Sequence, residues 1–277
     1  MDVLDQQQFD HADRRMGGYG RTLVMGILNV TPDSFSDGGR FDSVERAVAQ
    51  ALYMVEAGAD FLDIGAESTR PGHEPVSADE EIRRLLPVLE ALQEQVTRPI
   101  SVDTTKAKVA EAALLAGASI VNDVWGFQRD HALADRAAAH GAGVVLMHNR
   151  ENVDPSIDII DDMLRFLDTS LALALNAGIP LERIALDPGI GFGKTLEQNL
   201  AAIAGLDRLM TLGCPLLVGA SRKSMIGKII PSTTDERLPG TIAIHTAAIL
   251  KGADIIRVHD VKEAVQAARV TDRLKDL

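Results

Sequence analysis

Strands buried in a parallel sheet are built from aliphatic residues, so a polar residue at the end of one marks a place where something polar is met. Five strand ends in this sequence carry such residues: Asn29, Asp103, Asn122 with Asp123, Asp187, and Arg257 with His259. Helix capping is an ordinary account of Asp123 but a weak one of the whole set. Thr104 or Thr105, just past Asp103, is expected to cap the helix that follows. The stretch Leu186-Asp187-Pro188-Gly189-Ile190-Gly191-Phe192-Gly193-Lys194 runs from a strand end into a glycine-rich loop. It lacks the G-x-x-x-x-G-K-[ST] spacing of a phosphate loop. Its glycines suit close approach of the backbone to a flat ligand, with Phe192 either against that ligand's face or packed in the core. Ser221-Arg222-Lys223-Ser224 places two cations and two hydroxyls after another strand. With Arg257 and His259 they suit an anion, a phosphate above all. Arg70, in Ser68-Thr69-Arg70-Pro71-Gly72, either joins that anion site or is an ordinary loop arginine. His73, His131, His140 and His245 read as structural or surface residues, and without a histidine pair at metal spacing no zinc site is expected.

The elements that must position these residues follow a repeat. Helical stretches end in Gly-Ala or a close variant and lead into short apolar runs, as at Gly58-Ala59, Gly117-Ala118, Gly141-Ala142 and Gly252-Ala253. A glycine just past a helix supplies the left-handed C-cap. Eight strands are expected, at 22–29, 61–65, 100–103, 120–123, 143–147, 184–187, 215–219 and 255–258. The helices between and after them are expected at 44–56, 79–95, 107–115, 132–140, 157–177, 196–212, 238–250 and 261–274. Strict alternation implies parallel pairing with right-handed crossovers, and eight units favour a closed (β/α)8 barrel, a TIM barrel, over an open sheet. An open dinucleotide-binding sheet should show G-x-G-x-x-G after its first strand, and none occurs there. A single α/β domain from 21 to 277 is expected, preceded by a loose leader over 1–20. The long polar connections 30–42, 66–77 and 221–237 all follow strands, so they share the catalytic face, where they are candidate lids.

Composition sets the outer limits. The chain has 277 residues, 46% hydrophobic and 25% charged, enough to bury a large core without a disulfide or metal staple. Its net charge of −12 and 4% aromatic content argue against general nucleic-acid binding. No apolar run is long enough to span a membrane, so no membrane partner is expected. A single cysteine, Cys214, rules out an internal disulfide and fits a reducing cytoplasm; it is expected to be a small core residue.

In this order the motifs resemble those of the dihydropteroate synthase family, from about Thr22 to the C-terminus. They are Met25 to Gly39 (MGILNVTPDSFSDGG), Asp63 to Gly72 (DIGAESTRPG), Ser101 to Thr104, Asn122-Asp123, Leu146-Met147-His148, Asp187-Pro188-Gly189, Gly191 to Lys194, Ser221 to Ser224, and Arg257-Val258-His259-Asp260. The family condenses 6-hydroxymethyl-7,8-dihydropterin pyrophosphate with 4-aminobenzoate, releasing pyrophosphate and forming 7,8-dihydropteroate for folate biosynthesis. The resemblance implies a pterin site of Asp103, Asn122, Met147, Asp187, Phe192, Gly219 and Lys223. It implies a pyrophosphate site of Thr69, Arg70, Arg257 and His259. It also implies an aminobenzoate border of Phe35, Pro71, Phe192 and Ser224, and a magnesium ion held by Asn29. Asn29, Asp33, Arg70, Lys223, Arg257 and His259 form the catalytic set that it implies. It further implies a homodimer and competition by sulfonamides, which mimic aminobenzoate.

The implied chemistry fits the residue types. A buried carboxylate such as Asp187 can accept from the adjacent ring N–H and amino donors of a pterin. Pyrophosphate leaves well only when its growing charge is neutralised, as Arg257, His259 and a hard cation would do. The amine then meets a strong electrophile, so no general base is expected. Closure of 30–42 and 66–77 would keep water from competing as nucleophile. The sequence departs from the family pattern at Ala66, Ala107 and Asn149-Arg150-Glu151, and none of these is an implied binding position. A pterin-binding methyltransferase domain would share the barrel but need no anion site; the 31–39 motif and Arg257-Val258-His259 argue against it. A non-catalytic pterin-binding relative should have lost the anion-binding or loop residues, which are present here.

Overall fold

In the computed structural model, residues 16–31, 40–67 and 76–275 are described. Eight strands alternate with helices, as the repeat predicts. The strands are β1 (Leu23–Asn29), β2 (Phe61–Gly65), β3 (Ile100–Asp103), β4 (Ile120–Asp123), β5 (Gly143–Met147), β6 (Ile184–Asp187), β7 (Leu217–Val218) and β8 (Ile255–Val258). The helices are α1 (Arg40–Glu56), α2 (Ala78–Gln93), α3 (Ala107–Leu115), α4 (Ala132–Ala139), α5 (Ile159–Asn176), α6 (Leu196–Ala204), α7 (Leu206–Leu209), α8 (Ser224–Ile229), α9 (Leu238–Leu250) and α10 (Val261–Lys275).

All strand pairs are parallel, in the order β6-β5-β4-β3-β2-β1-β8-β7. The two ends meet: Leu186 bridges Leu216, and its N–H donates to the Pro215 carbonyl at 2.9 Å. The result is a closed (β/α)8 barrel. β7 is shorter than the 215–219 run because Leu216 is shared between two neighbours at the closure. Its carbonyl accepts from the N–H groups of Asp254 and Ile255 at 2.9 and 3.0 Å.

Side chains alternate along each strand, so one set packs under the helices and the other fills the barrel. Val24, Leu28, Leu62, Ile64, Val102, Val121, Val144 and Leu146 belong to the outer core. Leu23, Met25, Phe61, Ile120, Val145, Ala185, Leu217 and Ile255 form a separate apolar floor inside the barrel. Met16, in the segment expected as a loose leader, is wholly buried in that floor, and Tyr19 packs against it. The Met16 N–H donates to the Glu182 carbonyl at 3.0 Å, which fixes the segment across the barrel bottom. Met16→Ala should therefore lower stability by about 2–5 kcal/mol, the usual range for a large-to-small change in a core. Urea unfolding checks this, and a change under half a kilocalorie would place Met16 outside the cooperative core.

Helix starts follow capping chemistry in most places. Ser77 caps α2, Asp158 caps α5, and Thr195 with Gln198 forms a reciprocal capping box at α6. The expected threonine cap of α3 is absent. Lys106 occupies the cap position without a side-chain bond, and Asp130 accepts from the Ala107 N–H at 2.9 Å from across the next loop. Thr104 accepts instead from the Lys106 N–H at 3.3 Å. The single helix expected over 196–212 breaks at Gly205 into α6 and α7. A side chain at Gly205 would stand 2.7 Å from Ile160 of α5, so the break lets α5 approach. The stretch 221–237, expected as a loop, contains α8. The connections 32–39 and 68–75, which make up most of the two expected lids, lie outside the described residues.

Candidate active site

Above the apolar floor the barrel interior turns polar. The next inward positions are Asp63, Ser101, Asp103, Asn122, Met147, Asp187, Gly219 and Arg257. Arg257 organises one side. Its Nε donates to Asp63 Oδ2 at 2.5 Å and its Nη2 to Asp103 Oδ2 at 2.8 Å. Asp63 is wholly buried, and its Oδ2 also accepts from Asn122 Nδ2 at 3.1 Å. A carboxylate can only accept, so the Asn122 amide turns its nitrogen to Asp63 and leaves its carbonyl for another partner. Asp63 Oδ1, Asp103 Oδ1 and Ser101 Oγ are buried and find no partner among the described residues. Burial pushes the Asp103 carboxyl up to about 7; Arg257 opposes that rise and Asp63 adds to it. Burial alone would lower the pKa of Arg257, but Asp63 and Asp103 outweigh it.

The opposite wall is the turn after β6. Asp187 Oδ1 accepts from the Gly189 N–H at 2.7 Å. Burial raises the Asp187 pKa, against that N–H and the cations Lys223 and Arg257. Gly189 has φ +66°, and a side chain there would strike the His148 carbonyl oxygen, so only glycine fits the turn. The Lys223 ammonium lies 4.1 Å from the centre of the Phe192 ring, a cation–π contact. Phe192 is half-buried at the wall of the cleft and is absent from the core.

One cleft gathers Asp103, Asn122, Val124, Met147, Asp187, Ile190, Phe192, Gly219, Lys223 and Arg257. All seven residues expected around a pterin lie on it. A second cleft beside it runs past Asn29 and His259 to Arg222 and Asp260. Ser221 Oγ lies 3.0 Å from His259 Nδ1 and accepts from the His259 backbone N–H at 3.2 Å. Arg222 lines that second cleft. It pairs with Asp260 through two bonds of 3.0 and 2.6 Å and with Asp235 at 3.1 Å. Ser224 is exposed and opens α8, one residue past Lys223. Asp33, Phe35, Thr69, Arg70 and Pro71 lie outside the described residues.

Some site residues have no strand-end signature. Asp63 sits in mid-strand, and its signal is an acid two residues past Phe61 on the inward face. Lys106 donates to Glu67 and, at 2.7 Å, to the buried Glu81. Glu67 Oε1 also accepts from the Val76 N–H at 3.0 Å, which ties the two ends of the 68–75 connection. Asp123 turns the chain after β4 as a cap would, accepting from the Trp125 and Phe127 N–H groups at 2.9 and 2.6 Å. His245 is structural, as expected: its Nε2 accepts from the Ala220 N–H at 3.2 Å, and burial pushes its pKa down to about 4.

The pterin binding enzyme family model matches residues 25–259. The dihydropteroate synthase of Clostridium beijerinckii is 50% identical over 253 residues, covering 91% of this chain and 94% of that protein. A crystal structure of dihydropteroate synthase from Clostridium difficile in the presence of pteroic acid is 49% identical. It superposes with a TM-score of 0.89 over 92% of this chain and 97% of the other. The Xanthomonas albilineans dihydropteroate synthase with 4-aminobenzoic acid is 44% identical, with a TM-score of 0.88 over 93% and 94% of the two chains.

Proposed function

This chain belongs to the pterin-binding enzyme family, and from that membership we propose that it acts as a dihydropteroate synthase. It joins 6-hydroxymethyl-7,8-dihydropterin pyrophosphate to 4-aminobenzoate, giving 7,8-dihydropteroate and pyrophosphate. The observation that carries this reading is the cleft in which a buried carboxylate, an oriented amide carbonyl and an ammonium over an aromatic ring converge. A pterin is flat and presents paired donors along one edge. Asp187 accepts that pair, Asn122 accepts beside it, and Lys223 donates to a ring acceptor while lying against Phe192.

The diphosphate then extends toward the ends of β1 and β8. His259, oriented by Ser221, and Arg257 draw off the charge that builds on the departing oxygen. The C–O bond breaks, the exocyclic methylene becomes electrophilic, and the aminobenzoate nitrogen forms the new C–N bond and loses a proton. By the resemblance, Phe35, Pro71, Phe192 and Ser224 would border that amine, Thr69 and Arg70 would join the anion side, and Asp33 would belong to the catalytic set.

Magnesium is the cofactor proposed for this site. No cluster of three metal-ligating side chains occurs among the described residues. A hard cation with substrate oxygens and water around it needs only one or two protein oxygens. Asn29 Oδ1 would supply one, beside Gly65, where an added side-chain carbon would stand 3.9 Å from it. When bound, the ion would supply charge neutralisation for the diphosphate.

Sulfonamides are expected to compete at the aminobenzoate border. Exposed Leu250, Val270 and Leu274 on α9 and α10 support a homodimer through the late helices. A cytoplasmic location is supported by the single buried cysteine; among the described residues, no helix is long and apolar enough to cross a membrane. The test is direct. With pterin pyrophosphate, magnesium and 4-aminobenzoate, the purified protein should release pyrophosphate and dihydropteroate in equal amounts. No product at high protein concentration sinks the reading.

A further inference from the structure

Lys194 closes the glycine-rich turn but lines neither cleft. It is only 6% exposed, and its ammonium meets three acceptors from below the pocket wall. Nζ donates to the Gly189 carbonyl at 2.9 Å and to the Phe192 carbonyl at 3.2 Å. The third contact is His148 Nδ1 at 2.7 Å. His148 itself is wholly buried, and its Nε2 faces Asp162 Oδ2 at 3.2 Å. Asp162 accepts only, so Nε2 carries the imidazole proton and Nδ1 is left as the acceptor for Lys194. Burial, and then the Lys194 charge, push His148 down to about 3, in keeping with that neutral tautomer. Arg150 completes the set, donating to Asp162 Oδ2 at 2.7 Å.

The two carbonyls that Lys194 holds belong to the two residues that shape the pocket wall. Gly189 gives its N–H to Asp187, and Phe192 is the ring beneath Lys223. We propose that Lys194 is a positioning residue of the pterin pocket, clasping the turn from Gly189 to Phe192 onto His148 so that Asp187 and Phe192 stand in the geometry that grips the ring. This rests on the synthase reading above. An ammonium in so dry a place is costly, and packing alone does not call for it: an apolar side chain of the same length would fill the space. Burial pushes its pKa down to about 7; Asp187 and Asp162 oppose the shift, and Lys223 and Arg150 add to it.

The test uses Lys194→Met and Lys194→Gln in the full chain, with equilibrium binding of 6-hydroxymethylpterin and steady-state kinetics. Met keeps the volume and removes all three donors; Gln keeps two. Lys194→Met should weaken pterin binding about tenfold or more, the effect of roughly 1.4 kcal/mol. The KM for aminobenzoate should change less than about threefold, and the melting temperature should fall only slightly, because the loss of a buried charge offsets part of the cost of leaving three acceptors without a donor. Lys194→Gln should recover part of the lost affinity. Pterin affinity in the wild type should fall as pH rises through about 7, and the part of that fall due to Lys194 should vanish in Lys194→Met. Unchanged pterin affinity in Lys194→Met overturns the proposal. Equal losses for both substrates in parallel with a collapse of stability also overturn it, since that is what a packing role produces. If Lys194→Met does not fold, Lys194→Gln alone decides: affinity equal to the wild type, or a pH profile identical to it, refutes the clasp. An inactive wild type that still binds pterin would fail the synthase reading and leave the clasp intact.

Discussion

Arg257→Ala should abolish turnover and cost stability at the same time. The guanidinium is the shared counter-charge of Asp63 and Asp103, bound at 2.5 and 2.8 Å inside the barrel. Removing one partner of a buried ion pair costs about 3–5 kcal/mol, because the other charge is left without compensation. Two carboxylates would be left here, so one must take up a proton. That makes the loss depend on pH, and the sign can be worked out. Asp103 already has its pKa raised from 3.8 to about 7. An acid whose folded pKa is raised binds more protons folded than unfolded, so its cost is absent below the unfolded value and complete above the folded one. Without Arg257 the folded value of Asp103 rises further, because the guanidinium is what opposes the rise. The stability deficit of Arg257→Ala should therefore be larger at pH 8 than at pH 5.5 in urea unfolding. An equal deficit at both would mean that the carboxylates are not what the arginine holds. Turnover should fall further than stability alone explains, because Asp63 also turns the Asn122 amide and the leaving diphosphate loses a cation. Arg257→Lys keeps the charge but not the two-pronged geometry, and should fall between.

The same cluster shows where sequence reasoning reached and where it stopped. The strands were legible because each is a short apolar run after a helix that ends in glycine, a pattern carried by neighbours in the chain. Asp103, Asn122 and Asp187 were legible because a polar residue at the end of such a run has few other reasons to be there. Asp63 carried no such flag. It stands inside FLDIG, and only the register against β1 and β3 shows that it faces Arg257, 194 positions away. The cap of α3 failed for a related reason. Thr104 and Thr105 have the right chemistry at the right spacing, but Asp130 reaches the open N–H from another loop. The pairing of Arg222 with Asp260, 38 residues on, carried no local signal either. Met16 looked like leader because a lone apolar residue has no periodicity; the barrel floor gives it a place. What local pattern decides was visible, and what pairing across the barrel decides was not. The pterin itself came from resemblance, since composition and spacing alone indicated only a flat ligand and an anion.

Asp187→Ala should produce the largest loss of pterin binding with the least damage to the fold. A carboxylate accepting two donors of one ring makes two charge-assisted bonds, each worth about 1.5–3 kcal/mol. Their removal should weaken pterin affinity by a factor on the order of 10² to 10⁴. Among the described residues Asp187 Oδ1 accepts the Gly189 N–H, and burial holds its pKa above the ordinary value. A buried acid in that state is a burden on the folded protein, so Asp187→Ala should unfold at a temperature close to the wild type. Calorimetric titration with 6-hydroxymethylpterin and a thermal melt together decide it. Asp187→Asn adds a second discrimination: its amide can accept one donor, but its own N–H groups would face the other, so it should bind nearly as weakly as alanine. Near-wild-type affinity in Asp187→Asn would show that shape, through Phe192 and Met147, holds the ring, and that the paired acceptor does not. Removing the acceptor itself should also do more harm than removing the Lys194 clasp beneath it, because Lys194 acts only through the turn that holds the carboxylate in place.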